Sequence, residues 1–345
     1  MTNWKNSRRL TAWLLGLTIV VIALGGLIRI YDAGESCPDW PLCFGTLGFD
    51  ISEEEQGAWW AENPDEVDSR GSGHRYSTFQ IFTEWFHRFL AGAFLGPLVL
   101  LNWYLLRKEE ALGKDVRFAS TLTVILIIWQ GAIGWLTVKM DNLHWSVALH
   151  LSSALAFTIS MFWLWLAITK TEKGVPSWIK IKPIISEKWK GRVALLSIGA
   201  FFSIFSGTFV STTPGANLGC GVDGIPDSWP LCGGNIVDSV ESLVSQSQMI
   251  HRWFVGVMLI ALVASSNLIW KEEEESGNIL RNWIWLATGI FVTNASIGAV
   301  YILSWDMKEG FFEYLSLVHL MLASLTFLAM AVAWVGCVIS SEGEQ

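Results

Sequence analysis

Charge is scarce in this chain. Only 16% of its 345 residues are charged, against about a quarter in soluble globular domains, and that deficit excludes an ordinary water-soluble fold. An excess of positive charge is lacking as well. The formal net charge of −8 excludes the basic surface that nucleic acid binding needs. No compact group of three or four ligating side chains occurs in the sequence, which excludes a structural zinc site. The first apolar run lacks a small-residue cleavage site and is too long for a signal peptide, so it reads as a membrane span rather than a removed leader.

What the chain has instead is hydrophobic length. Apolar residues make up 52% of it, and a bilayer core asks for about 20 of them in a row. Eight stretches qualify, at approximately 11–31, 84–106, 116–138, 146–168, 192–211, 250–270, 282–303 and 314–338. The expectation is an all-α integral membrane protein in lipid. Sixteen of the 23 Lys and Arg fall in the N-terminus and the second, fourth and sixth loops, which places both termini in the cytoplasm by the positive-inside rule. The two long loops, 32–83 and 212–249, then lie outside.

The two halves resemble each other. Pro41-Leu42-Cys43 answers to Pro230-Leu231-Cys232, His87-Arg88 to His251-Arg252, Gly134 to Gly298, and His150-Leu151 to His319-Leu320. The offsets are 164 for His87/His251, 164 for Gly134/Gly298 and 169 for His150/His319. Such regularity predicts two pseudo-symmetric four-helix bundles, with units at 1–170 and 192–345 and a cytoplasmic linker at 171–191. An even number of spans per unit keeps the copies parallel. Gly131, Gly134 and Gly298 are expected to let helices pack closely.

His87, His150, His251 and His319 each open a helix running inward, one to two turns below the outer surface. Intramembrane ionisable residues are costly and usually functional. Four at equivalent positions point to iron ligation: a haem needs one or two axial ligands, and its flat ring fills a helix-lined cavity. The simplest pairing is His87 with His150 and His251 with His319, one haem per unit. Arg88 and Arg252 follow two ligands, placed either to meet haem propionates or to snorkel to the interface. His74 and His144 have no repeat partner and read as non-ligating.

One asymmetry stands out. Glu84 lies three residues before His87 on one helix face, whereas Gln248 holds that place before His251. A carboxylate can move a proton; an amide cannot. Unit one therefore reads as the reaction site, against the plainer view that an acid favours a helix start. Cys37 with Cys43 and Cys220 with Cys232 stand on the oxidising side, where disulfides form. The second pair reads as a staple, and the first as a staple or a redox pair. Cys337 reads as a small buried apolar residue.

Together, Gly25-Gly26-Leu27-Ile28-Arg29, Cys37-Pro-Asp-Trp-Pro-Leu-Cys43, Glu84-x-x-His87-Arg88, His150-Leu, Thr213-Pro-Gly215, Pro-Leu-Cys232, His251-Arg252 and His319 resemble the haem A synthase family across nearly the whole chain. The closest type is bacterial, with paired loop cysteines. The resemblance implies an oxidoreductase that turns a ring methyl of haem O into the formyl group of haem A. It implies His87 and His150 as ligands of the substrate haem O, Glu84 as the catalytic carboxylate, and His251 and His319 as ligands of a haem b cofactor. It implies a cell (inner) membrane location, haem O synthase upstream and assembly of a haem–copper terminal oxidase downstream, and it leaves a homo-oligomer open. Two other readings stay beside it: a non-catalytic dihaem electron carrier, and a thiol- or haem-handling protein. One departure is the long acidic loop, with eleven acids between Asp32 and Asp68. It is expected either to cover the haem site or lie on the membrane, or to be a solvated insertion.

Overall fold

The computed structural model describes residues 4–110, 112–236, 242–272 and 277–341. Among them all regular structure is helical: α1 (Trp4–Ile30), α2 (Glu53–Glu62), α3 (Thr78–Phe89), α4 (Gly96–Arg107), α5 (Lys114–Lys139), α6 (His144–Lys173), α7 (Pro183–Thr212), α8 (Leu243–Trp270), α9 (Gly277–Leu303) and α10 (Glu313–Ser341). Eight spans are long and apolar enough to cross a membrane, with α3 and α4 forming one of them. The eight expected spans are all present.

Several begin earlier than their apolar runs because capping chemistry starts the helix. Ser77 accepts the Gln80 N–H while Gln80 answers the Ser77 N–H, a capping box that starts α3. Pro183 takes the first position of α7, where its fixed φ suits a helix and its missing N–H costs nothing. The segment read as a linker therefore shrinks to 174–182. Between α3 and α4 the chain makes a π turn over Leu90–Leu95, closed by Gly96 N–H bonding to Ala91 O. Pro97 follows and has no N–H to offer the α-helical ladder, so the wider turn falls just before it.

The chain divides into two compact units, Met1–Trp165 and Leu166–Gln345. In the second, α10 packs on α7 and α9, and α8 packs on the same two helices. Ile185, Trp189, Val193, Leu196 and Ala200 recur at helical spacing on α7, and Leu280, Ile284, Ala287 and Phe291 on α9. In lipid such faces are held by close packing rather than by exclusion of water. A β-carbon at Gly336 would stand 2.7 Å from the Ile179 side chain, so the 174–182 connection is pressed against α10. Cys337 is fully buried and free, as expected.

In the first unit α1 contacts α3 and α4, and α4 contacts α5. Asn102 on α4 donates to Thr11 on α1 at 2.8 Å. The long acidic loop is folded. Its aromatic residues turn inward over the Cys37–Cys43 disulfide, joining Phe44, Ile51, Trp60, Tyr76 and Ile81 in one cluster. Phe44 meets Trp59 and Trp60 edge to face. Gln56 holds the backbone of Tyr76 by both its N–H and its carbonyl, at 2.9 and 3.0 Å. The acids of α2 sit at its start, Glu53, Glu54 and Glu55, where the helix dipole favours them. The segment is thus a cap on the disulfide rather than a solvated insertion.

Beneath this cap lies a buried acid. Glu35 is held by Asn142 at 3.3 Å and by Arg70 at 3.4 Å. Burial outweighs the Arg70 charge and pushes its carboxyl up to about 7. Tyr76 donates to Asp68, and burial with that carboxylate pushes its phenol upward.

Candidate functional site

The four histidines lie on α3, α6, α8 and α10. At 1.5 Å rise per residue they stand roughly 9 to 14 Å from the N-terminal ends of their spans. His87 and His251 stand farther along their helices than the apolar runs suggest, because those helices begin before the runs. All four are half-buried, so each imidazole keeps surface that no protein atom covers.

Each ring is seated on a glycine of a neighbouring helix. A β-carbon would stand 3.6 Å from His87 Cε1 at Gly25, 3.2 Å from His150 Cε1 at Gly134, 2.9 Å from His251 Cε1 at Gly207 and 2.8 Å from His319 Cε1 at Gly298. Gly134 and Gly298 thus make room for imidazoles rather than for a bare helix contact, and Gly131 faces nothing within 4 Å. The roles of Gly25 and Gly207 escaped the sequence reading. Their only signal is a small residue on the first helix of each unit, whose partner is distant in sequence.

On the same helices as these glycines are the groups that orient three of the rings. His87 Nδ1 lies 3.1 Å from Val21 O, and His319 Nδ1 lies 2.9 Å from Asn294 O. A carbonyl only accepts, so Nδ1 carries the proton in both. His251 Nδ1 lies 3.0 Å from Ser206 Oγ, and either atom can supply the hydrogen. In His87 and His319 the Nε2 lone pair is left for a metal, the arrangement that fixes tautomer and aim in metal-binding histidines. His150 Nδ1 is buried and has no partner.

No group of three or more His, Cys, Asp or Glu suited to a metal ion occurs among the described residues. A haem asks for less. Two imidazoles sharing one iron from opposite sides, each with a metal–nitrogen bond of about 2 Å, put their ring centres roughly 6 Å apart. The His251 and His319 centroids are 6.3 Å apart. The first unit repeats the glycine seats, with His87 on Gly25 and His150 on Gly134. The residues present therefore fit a haem.

The arginines and acids differ between units. Glu84 is buried, and its Oε2 accepts from Ser36 Oγ at 3.0 Å and from the Cys37 N–H at 2.9 Å. Its Oε1 accepts from Arg88. Arg88 donates further to the carbonyls of Cys37, Asp39 and Leu42, at 2.7, 2.6 and 3.3 Å. The carboxylate and guanidinium thus grip the Cys37–Cys43 loop from below, with both terminal Arg88 nitrogens engaged. In the second unit Arg252 donates to Leu231 O, the counterpart of Leu42, and its Nη2 is buried without a partner. An orphaned guanidinium nitrogen on the residue next to His251 suits a carboxylate from a ligand.

Both loop disulfides are formed, Cys37–Cys43 and Cys220–Cys232. All four cysteines are buried. His74 packs on Tyr76 within the cap, away from the four histidine seats.

Eight membrane-length helices carrying two pairs of glycine-seated histidines define a multi-pass helical membrane protein with sites suited to haem. The family model described as cytochrome oxidase assembly protein matches residues 8–331. The chain belongs to that family. A relative from Shouchella clausii is 27% identical over 328 residues, covering 92% of this chain and 94% of the relative. One from Shewanella oneidensis is 30% identical over 233 residues, covering 66% of this chain and 63%, under two thirds, of the relative. One from Erythrobacter litoralis is 28% identical over 287 residues, covering 74% and 78%. Each of these relatives is named heme A synthase.

Proposed function

We propose that this chain is a haem A synthase, an oxidoreductase that converts a ring methyl of haem O to the formyl group of haem A for terminal oxidase assembly. The units act as two pseudo-symmetric four-helix bundles. In the first, His87 and His150 hold the substrate haem and Glu84 is the catalytic carboxylate. In the second, His251 and His319 hold haem b, and Arg252 meets a propionate. A haem bound there supplies a one-electron redox centre. The protein sits in the cell (inner) membrane with both termini cytoplasmic, receives haem O from its synthase and passes haem A on to a haem–copper oxidase.

The observation that carries this reading is an asymmetry between like seats. Four histidines lie on four glycines, yet only the first unit has a buried carboxylate, Glu84, where the second has Gln248. Pure electron transfer needs no carboxylate at one haem alone. Glu84 is held by the Cys37 N–H, Ser36 and Arg88. These donors hold it aimed, ready to take a proton as substrate carbon is oxidised.

Arg88 acts on Glu84 and the disulfide loop. The loop disulfide serves to hold that clamp. A thiol-handling function is the weaker alternative, since Cys37 and Cys43 are 0% and 1% exposed and exchange requires access. The test is cellular haem content with a haem O synthase co-expressed. Glu84→Gln is expected to abolish haem A while leaving haem b in place. Haem A at the wild-type level in that variant would remove the catalytic role of Glu84, and haem b alone in the wild type would favour the electron carrier.

A further inference from the structure

We infer that His150 is the displaceable ligand of the first unit, so that one face of the substrate haem is held firmly by His87 and the other is held weakly enough to open. The inference rests on the haem reading above and deepens it.

Three of the four imidazoles are locked through Nδ1: His87 by Val21 O, His251 by Ser206 Oγ and His319 by Asn294 O. His150 alone has a buried, unpartnered Nδ1. The residue that should lock it is present. Gln130 stands one turn before Gly134, as Asn294 stands one turn before Gly298. Asn294 ties its ring through its main-chain carbonyl; Gln130 makes no such bond to the His150 ring, and its side chain donates instead to the main-chain carbonyl of His150 at 3.1 Å. Gln130 therefore grips the α6 backbone while the ring stays untied.

Loss of such an orienting hydrogen bond lowers metal affinity by about 10–100-fold. It leaves the imidazole free to turn about its side-chain bonds.

The consequence is a division of labour. The second unit, with both rings locked, keeps its haem. The first must accept one haem and release another, and must expose iron to a small molecule if the reaction needs it. A single unlocked ligand serves all three needs while His87 keeps the ring in register with Glu84.

The test is carbon monoxide titration of the purified, dithionite-reduced full-length protein carrying both haems, followed by absorbance. One haem should bind carbon monoxide at least tenfold more tightly than the other. That binding should persist in His251→Ala and vanish in His87→Ala. His150→Ala should retain the first-unit haem in a carbon monoxide-reactive form, whereas His87→Ala should lose it. Equal affinity at the two haems, no binding at either, or equal loss of haem from both first-unit variants would overturn the inference and leave the ligand assignment standing. Unchanged spectra in both His87→Ala and His150→Ala would overturn the ligand assignment itself. The wild-type titration needs no variant to fold, and haem b content reports folding in each variant.

Discussion

The first unit meets Arg88 with a carboxylate and three carbonyls; the second meets Arg252 with one carbonyl and leaves a guanidinium nitrogen bare. The histidines show the opposite imbalance. Both rings of the second unit are tied through Nδ1, and one ring of the first is not. A duplicated frame has been specialised twice, by one acid-for-amide difference and by one hydrogen bond made or left out. The second unit is tied at both imidazoles, whereas the first is tied at Glu84 and His87 and loose at His150.

The sharpest way to break this comparison is to remove ligands one unit at a time. His251→Ala or His319→Ala should cost the haem of the second unit and leave that of the first, read as one haem per chain by pyridine haemochrome assay. Loss of both haems from either variant would merge the two sites into one. Next in size is the clamp. Arg88→Leu leaves Glu84 as a buried unpaired charge, which costs about 3–5 kcal/mol and should lower the thermal unfolding midpoint. Arg252→Leu removes no ion pair to a protein carboxylate and should lower it less. Equal shifts would deny that Glu84 makes the difference.

The glycine seats allow a graded test. Gly298→Ala and Gly207→Ala push a methyl to 2.8 and 2.9 Å from a locked ring, and Gly25→Ala to an ordinary 3.6 Å. Haem dissociation should accelerate roughly 10–100-fold in the first two and barely in the third. The smallest effect concerns the cap, which the second unit lacks in this form. Glu35 titrates near 7 when folded and at 4.5 when unfolded, so the folded state binds more protons between those values. Cap stability should fall as pH rises from about 4.5 to 7 and stay low above it, by on the order of 1–3 kcal/mol. Glu35→Gln should remove that dependence, measured as protease resistance of the outer loop at pH 5 and pH 8.

Much of this was legible in the sequence, for physical reasons that also mark where reading stops. The eight spans announce themselves by apolar length, and the four histidines by their recurrence at nearly constant offset. Helix starts were misjudged at Thr78 and Pro183, where capping residues rather than hydrophobicity decide. The π turn before Pro97 left a sign, Gly96-Pro97, that apolar counting passes over. Gly25 and Gly207 could not be assigned, because a glycine's purpose depends on the side chain it admits. The acidic loop misled because its charges are conspicuous while Phe44, Trp60 and Tyr76, which bury its inner side, are scattered over more than thirty positions. That Glu84 and Arg88 stand four apart on one helix was visible; that both reach up to Cys37 was not.

The most direct test is extraction and chromatography of haem from wild type and Glu84→Gln, each co-expressed with a haem O synthase. The account predicts haem A with haem b in the wild type, and haem O with an undiminished share of haem b in the variant. Haem A in the variant at the wild-type level, or haem b alone in the wild type, would contradict it.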